Sequence, residues 1–83
     1  MDLKDLDSII NHRDYGTIKL KFRNVMDDRK ISRNRLAKLV DVRFEVIDRL
    51  YKGNLERLDL DILARICFVL GCKIEDVLEH CPD

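Results

Sequence analysis

Residues 32–53, with the sequence SRNRLAKLVDVRFEVIDRLYKG, constrain the fold of this 83-residue chain more than any other segment. Ser32 is a candidate helix N-cap, because its hydroxyl can accept a hydrogen bond from an unpaired amide of the first turn. Asp41 interrupts the helical period of apolar residues, and aspartate is one of the few residues other than glycine that tolerate a left-handed backbone. Gly53 is typical of the residue that ends a helix. The segment therefore predicts two short helices joined by a sharp turn.

Apolar residues indicate how these two helices, at about residues 33–40 and 44–52, pack together. One apolar stripe consists of Leu36, Ala37 and Val40, and the other of Phe44, Ile47, Leu50 and Tyr51. Val42 is an isolated apolar residue in the connection and predicts a plug beneath the turn. Ala37 is small where the second helix has to cross the first closely. Two short helices packed in this way form a helix-turn-helix.

Three blocks of the sequence occur in a distinctive order. They are RLAKL at residues 35–39, IDRLYKG at residues 47–53 and DLDILARICFVLGC at residues 59–72. In this order they resemble the Cro-type, lambda-repressor-like helix-turn-helix regulators of bacteria and phages, and the resemblance extends over about residues 18–79. It implies an all-α fold, a compact five-helix DNA-binding domain at residues 18–83, which follows an N-terminal extension at residues 1–17.

The first helix and the core are predicted from periodicity together with this resemblance. Residues 18–23 alternate between apolar and basic side chains, which permits a short strand, but the resemblance favours a helix at about residues 20–29 with an extended entry. A hydrophobic content of 46% allows a single core in a chain of this length. That core is expected to include Leu36, Ala37, Ile47 and Leu63.

The C-terminal part is predicted to contain two further helices. Leu55 and Leu58 are expected to hold a loop against the core. The fourth helix should begin at Leu58 or Asp59 and stop at Gly71, which suits a helix end. The apolar positions of a fifth, short helix that ends near His80 are Ile74, Val77 and Leu78.

Residues 2–12 also carry a helical period, outside the resemblance to the family, and would form a short extra N-terminal helix. Their apolar positions are Leu3, Leu6, Ile9 and Ile10. Two interpretations remain open for this segment. It is either a frayed extension packed loosely on the domain, or a contact with a protein partner or a second copy, because a short helix needs a surface that covers its apolar stripe.

The net charge of zero conceals an uneven distribution of charge along the chain. Residues 18–58 contain 12 Lys and Arg against 6 Asp and Glu, a net charge of +6. Residues 1–17 and 59–83 have net charges of −2 and −4. An ordinary solvated surface is one interpretation of the basic segment, but its coincidence with the helix-turn-helix favours binding to the phosphates of nucleic acid.

The chain offers little that is typical of an enzyme or of a metal site. Neither His12 nor His80 lies beside a glycine-rich phosphate loop, and we expect no catalytic residues and no cofactor. Cys67 is predicted to be a buried apolar residue, and the spacing of Cys72, His80 and Cys81 fits no structural zinc site. No apolar run is long enough to span a membrane, and the N-terminus does not resemble a signal peptide. We therefore expect a cytoplasmic protein with reduced thiols.

In the family, the first helix of the motif crosses the DNA backbone and the second enters the major groove. The resemblance therefore implies phosphate contacts from basic residues on the first helix and beyond the second. The predicted phosphate-binding residues are Arg33, Arg35, Lys38, Lys52 and Arg57. Such contacts set affinity and register without reporting the base sequence. The alternative for each of them is a solvated cation.

Ile47 and Leu50 must face the core, which leaves five residues on or near the outward face of the second helix. These predicted base-reading residues are Arg43, Phe44, Glu45, Asp48 and Arg49. Arg49 can bind guanine, Phe44 can contact a thymine methyl group, and Glu45 can accept from a cytosine amine. The alternatives are that Phe44 belongs to the core and that Glu45 pairs with Arg49 one helical turn away.

The sequence thus predicts a small bacterial or phage transcriptional regulator that binds double-stranded DNA sequence-specifically as a homodimer. Glu45 and Asp48 depart from the pattern that is usual in the family, since they bring negative charge to the face that approaches the phosphates. The alternative is therefore a protein-interaction module, such as an antirepressor or a partner-binding dimer, on a helix-turn-helix scaffold with weakened DNA binding. Such a module would also suit a protein partner at the N-terminal segment.

Overall fold

The structure is a computed structural model that describes residues 15–82. In chain order the elements are β1 (Thr17–Leu20), α1 (Phe22–Asp28), α2 (Arg33–Val40), α3 (Phe44–Lys52), α4 (Leu60–Leu70), α5 (Ile74–Val77) and β2 (Leu78–Cys81). Five helices over this part of the chain agree with the predicted number. The amphipathic segment predicted at residues 2–12 lies outside the described residues, and the proposed boundary between residues 17 and 18 stays a prediction.

The all-α prediction is wrong in one respect, because β1 and β2 form a small antiparallel sheet. Its register runs from Thr17 opposite Cys81 to Leu20 opposite Leu78. The sheet replaces the extended entry of the first helix, and it takes Leu78 out of the predicted last helix. At one end of the sheet Gly16 has a φ of +76°, and a Cβ atom there would lie 2.3 Å from the carbonyl oxygen of Cys81. Only glycine fits so close to the opposite strand.

Side-chain caps set the starts of two helices, and the cap at Ser32 was predicted from the sequence. The Ser32 hydroxyl accepts a hydrogen bond from the backbone amide of Arg35 at 3.1 Å. The Asp59 carboxylate accepts from the backbone amides of Asp61 and Ile62, at 2.8 and 3.2 Å. Each cap satisfies amides that the helix itself leaves unpaired. The starts of α2 and α4 are thus set by local sequence.

The first four helices end in the same way. A residue with positive φ follows each of them, namely Lys30, Asp41, Gly53 and Gly71. The backbone amide of the next residue then bonds back to the last turn, as Val42 does to the carbonyl of Ala37 at 3.1 Å. Val42 is half-buried and packs against the core beneath the turn between α2 and α3, as predicted. These ends confirm the sharp turn at Asp41.

One core joins the five helices. Its buried residues are Phe22, Met26, Leu36, Ala37, Val40, Ile47, Leu50, Leu63, Ile66, Leu70 and Val77. All four predicted core residues are among them. Leu55 and Leu58 pack against the core from the loop between α3 and α4, as predicted. Each fully buried Leu or Ile side chain stabilises the fold by about 1.5–3 kcal/mol, so the relative positions of α2 and α3 are firmly set.

Two arginines attach α4 to the other helices through carbonyl groups at helix ends. Arg29 donates from Nε to the carbonyl oxygen of Leu70 at 2.9 Å. Arg65 donates from Nη1 to the carbonyl oxygen of Val40 at 3.1 Å. These bonds use carbonyls that the helices cannot satisfy internally. Across residues 15–82, no helix has the length and apolar character that crossing a membrane requires.

Candidate nucleic-acid interface

Four of the five predicted base-reading residues lie on one exposed surface of α3. We call Arg43, Phe44, Glu45 and Arg49 the open surface. They line a shallow depression together with Val46 and Leu55. The opposite side of α3 carries Ile47 and Leu50, which are buried. Amphipathic packing of this kind orients the open surface toward solvent.

The structure excludes the two alternative interpretations of the open surface, which were a core position for Phe44 and an ion pair between Glu45 and Arg49. Phe44 is 39% exposed, so it does not belong to the core. Among the ion pairs of residues 15–82, none joins Glu45 to Arg49. Arg43 and Arg49 likewise have no acidic partner within those residues. The charged groups of the open surface are therefore available to a ligand.

Asp48, the fifth predicted base-reading residue, is placed differently. Its Oδ1 atom accepts from Nη1 of Arg33 at 2.6 Å, and its Oδ2 atom lies 3.0 Å from Nζ of Lys52. The hydrogen bond from Lys52, with support from its charge and from Arg33, lowers the pKa of this carboxyl below its ordinary value of 3.8. Both oxygens are thus used within the protein, and Asp48 is ionised at neutral pH.

Two aromatic rings flank the guanidinium of Arg33. Its central carbon lies 4.9 Å from the centre of the Tyr51 ring and 6.0 Å from that of Phe44. Cations are attracted to the faces of aromatic rings at these distances. Arg33, Asp48, Tyr51 and Lys52 therefore form one group, which we call the braced cluster. It joins the first residue of α2 to the last two turns of α3.

The braced cluster is also attached to α1. The Tyr51 hydroxyl donates to Oδ1 of Asp27 at 2.9 Å. The Arg23 guanidinium lies 5.4 Å from the Tyr51 ring and 3.7 Å from the Asp27 carboxylate. Sequence reasoning assigned Tyr51 to the apolar stripe of α3 and did not identify Arg23 or Asp27. The hydroxyl of Tyr51 could have indicated such a contact, since a tyrosine at the edge of a core usually finds a polar partner.

The predicted phosphate-binding residues fall into two groups. Arg33 and Lys52 meet at Asp48, although they belong to different helices. Arg35 and Lys38 are exposed on α2, and Arg57 is exposed in the loop after α3. Within residues 15–82, no carboxylate pairs with these last three cations. All five cations therefore have exposed charge on or beside the helix-turn-helix, as phosphate binding requires.

The thiols show no sign of a metal site within residues 15–82, where no group of three or more His, Cys, Asp or Glu side chains is close enough to hold an ion. Cys67 is half-buried and packs against the core. Burial raises the pKa of the Cys72 thiol to about 11, and the neighbouring Cys67 adds to the rise. Cys72 is therefore a protonated thiol at neutral pH.

Comparisons with known proteins agree with this geometry. The family model of the Cro/C1-type helix-turn-helix DNA-binding domain matches residues 21–83. A candidate DNA-binding protein from Bacteroides fragilis has a similar fold, with a TM-score of 0.68 and 14% identity over 76% of this chain and 100% of that chain. The transcriptional regulator VanUg, in crystal form II, gives a TM-score of 0.63 and 27% identity over 82% of this chain and 91% of that chain. No curated protein matches the chain.

Proposed function

Because this chain belongs to the Cro/C1-type helix-turn-helix DNA-binding domain family, we propose that it binds double-stranded DNA sequence-specifically and regulates transcription. In this proposal α3 enters the major groove and α2 lies across the backbone. The observation that carries it is the open surface, where exposed polar and aromatic groups project from a helix whose other side is buried. The name of VanUg, a transcriptional regulator, supports the same function.

The open surface suits base recognition by three different chemistries. The Arg49 guanidinium can donate two hydrogen bonds to the acceptors of guanine. The Phe44 ring can contact a thymine methyl group, and the Glu45 carboxylate can accept from a cytosine amine. Arg43 lies at the start of α3, the part of a recognition helix that commonly reaches the bases. We propose these four residues as the base-reading set.

Phosphate binding is proposed for the five cations around the motif. Arg35, Lys38 and Arg57 would contact phosphates as separate side chains, whereas Arg33 and Lys52 act from the braced cluster. Each phosphate contact adds affinity and salt dependence without base information. We also propose a homodimer, because two copies on two half-sites give a domain of this size enough contacts for specific binding.

Titration of a labelled duplex at two salt concentrations tests DNA binding. Logarithmic affinity should fall with logarithmic salt concentration, with a slope of about −0.9 for each phosphate contact. Arg35→Ala should weaken binding to all duplexes and make the slope shallower by about one contact. Lys73→Ala is the matched control, since Lys73 is an exposed cation between α4 and α5 and should leave the slope unchanged. Sedimentation with and without DNA tests the homodimer.

One observation favours a second candidate function. Glu45 places on the open surface a negative charge that has no ion-pair partner within residues 15–82, and Asp48 already neutralises part of the charge of Arg33 and Lys52. A protein-interaction module on this scaffold would accommodate both features. The absence of duplex binding by the wild type at low salt, or an affinity that does not change with salt, would support this candidate and contradict DNA binding.

A further inference from the structure

We propose that Asp48 is a positioning residue, which holds Arg33 and Lys52 in place for one phosphate group instead of contacting a base. The proposal rests on the DNA binding proposed above. It accounts for a carboxylate on the recognition helix, where a free negative charge would oppose the phosphates. It also changes the role expected for Asp48 from its position in the sequence.

The contacts connect one carboxylate to two cations from different helices. Oδ1 of Asp48 lies 2.6 Å from Nη1 of Arg33, and Oδ2 lies 3.0 Å from Nζ of Lys52. Lys52 is four residues after Asp48 on α3, but Arg33 belongs to α2. A charge-assisted hydrogen bond between two helices restricts a long arginine side chain more than solvent does. Asp48 therefore fixes the distance between the two cationic groups.

The exposure of the three side chains shows which of them faces solvent. The Asp48 side chain is 20% exposed, whereas Arg33 is 40% and Lys52 is 56% exposed. Asp48 is therefore the least exposed of the three side chains, and both cations are more accessible to a ligand than the carboxylate that pairs with them.

Two aromatic rings further restrict the position of the Arg33 guanidinium. The Tyr51 and Phe44 rings flank Arg33 at 4.9 and 6.0 Å. The ring of Tyr51 is held in turn by its hydrogen bond to Asp27 on α1. Arg33 is therefore restricted by three side chains of α3. Its preferred position is set before any DNA arrives.

Donor groups remain for a phosphate after Asp48 is satisfied. Arg33 uses Nη1 for Asp48, and no acceptor within residues 15–82 takes its Nε or Nη2 groups. The Lys52 ammonium has three protons, and a single carboxylate oxygen lies beside it. A phosphate group has enough acceptor oxygens for both cations. The two side chains can thus bind one phosphate while Asp48 keeps them ordered.

The proposal predicts that removing Asp48 changes the affinity for DNA in the direction opposite to the one expected from charge repulsion alone. Removing a negative charge near DNA should strengthen binding if that charge only repels phosphates. Removing Asp48 should weaken binding if the residue orders two phosphate ligands, because the complex then has to order them at the moment of binding. The sign of the change therefore separates the two roles.

The test titrates a labelled random duplex with the wild type, Asp48→Ala, Arg33→Ala and the double variant at two salt concentrations. Asp48→Ala should bind roughly two- to tenfold more weakly than the wild type, the factor expected for ordering long side chains, and with a shallower salt slope. In the Arg33→Ala background the same change should lose most of its effect. The matched control is Asp61→Ala on α4, because Asp61 pairs with Arg65 at the same 2.6 Å and should not weaken binding.

Two results would overturn the inference in distinguishable ways. A gain in affinity for Asp48→Ala in both backgrounds would mean that Asp48 only repels DNA, and the proposed function would survive. The absence of binding by the wild type at low salt would overturn the proposed function as well.

A measurement without DNA covers the case in which Asp48→Ala does not fold. NMR relaxation of the Arg33 Nε–H group should report restricted motion in the wild type and greater motion in Asp48→Asn, which keeps the size of the side chain. Equal mobility of Arg33 in both proteins would contradict the positioning role whatever the DNA titrations show.

Discussion

The open surface and the braced cluster lie on the same helix but differ in how firmly their side chains are held. Arg43, Glu45 and Arg49 have no ion-pair partner within residues 15–82, whereas Arg33 and Lys52 share one carboxylate. The phosphate backbone has the same chemistry at every base pair, so its ligands can be ordered in advance. Base contacts depend on the sequence that the protein meets. In the DNA complex that we propose, the cluster would therefore supply preorganised phosphate ligands, and the open surface would supply adaptable base contacts.

The largest expected effect comes from removing the centre of the braced cluster. Arg33→Ala should lower affinity for every duplex alike by about 1.5–3 kcal/mol, the usual contribution of a hydrogen bond to a charged group. The ranking of duplex sequences should not change, because phosphate contacts carry no base information. Affinity measurements on several duplexes provide the test. A changed ranking would mean that Arg33 contacts a base and would remove the distinction between the two regions.

Arg49→Ala should have a narrower effect, from the open surface. It should reduce discrimination at one base pair by about 1–3 kcal/mol, if the guanidinium binds guanine as proposed. Selection from a randomised duplex library measures this preference directly. Lys52→Ala is the matched control, a cation of the braced cluster three residues further along α3, and should leave the selected sequence unchanged. Identical selected sequences for the wild type and Arg49→Ala would remove Arg49 from the base-reading set.

A smaller effect is expected from the charge of Glu45. Glu45→Gln keeps the size of the side chain and removes its repulsion of phosphates, so non-specific affinity should rise. The gain should shrink as salt increases, because screening acts over about 10 Å at 0.1 M. Glu75→Gln, on α5, is the matched control and should change little. If Glu45 accepts from a cytosine, affinity for the best duplex should fall instead while affinity for other duplexes rises.

The smallest expected effect concerns acid stability of the braced cluster. The pKa of Asp48 is lowered in the folded protein from its ordinary value of 3.8. Its ionised form therefore stabilises the fold fully above that value, and this contribution is lost as the pH falls through the lowered pKa. The difference in unfolding free energy between the wild type and Asp48→Asn should be constant near neutral pH and shrink below about pH 4. A difference that stays constant down to pH 2 would mean that Asp48 is not held as an ion pair.

Much of the fold could be predicted because its determinants are local. Ser32 caps α2 through an amide three residues away, and Asp41 adopts the left-handed backbone expected of it. The apolar period then assigned Leu36 and Ile47 to the core correctly. The small sheet could not be assigned in this way, because β1 pairs with residues about sixty positions later in the chain. The alternation near residue 18 permitted a strand, but nothing local in residues 78–81 identified its partner.

The candidate site shows the same division between local and tertiary information. Helical periodicity by itself determined that Glu45 and Arg49 share the outward side of α3, since 3.6 residues per turn place them opposite Ile47 and Leu50. It could not determine the role of Asp48, which depends on Arg33 from another helix, 15 residues earlier. Only the packing of α2 against α3 brings that guanidinium to the carboxylate and to the ring of Tyr51. Among residues 15–82, the tertiary structure therefore decided which charges are held in ion pairs, because ion pairs form between neighbours in space.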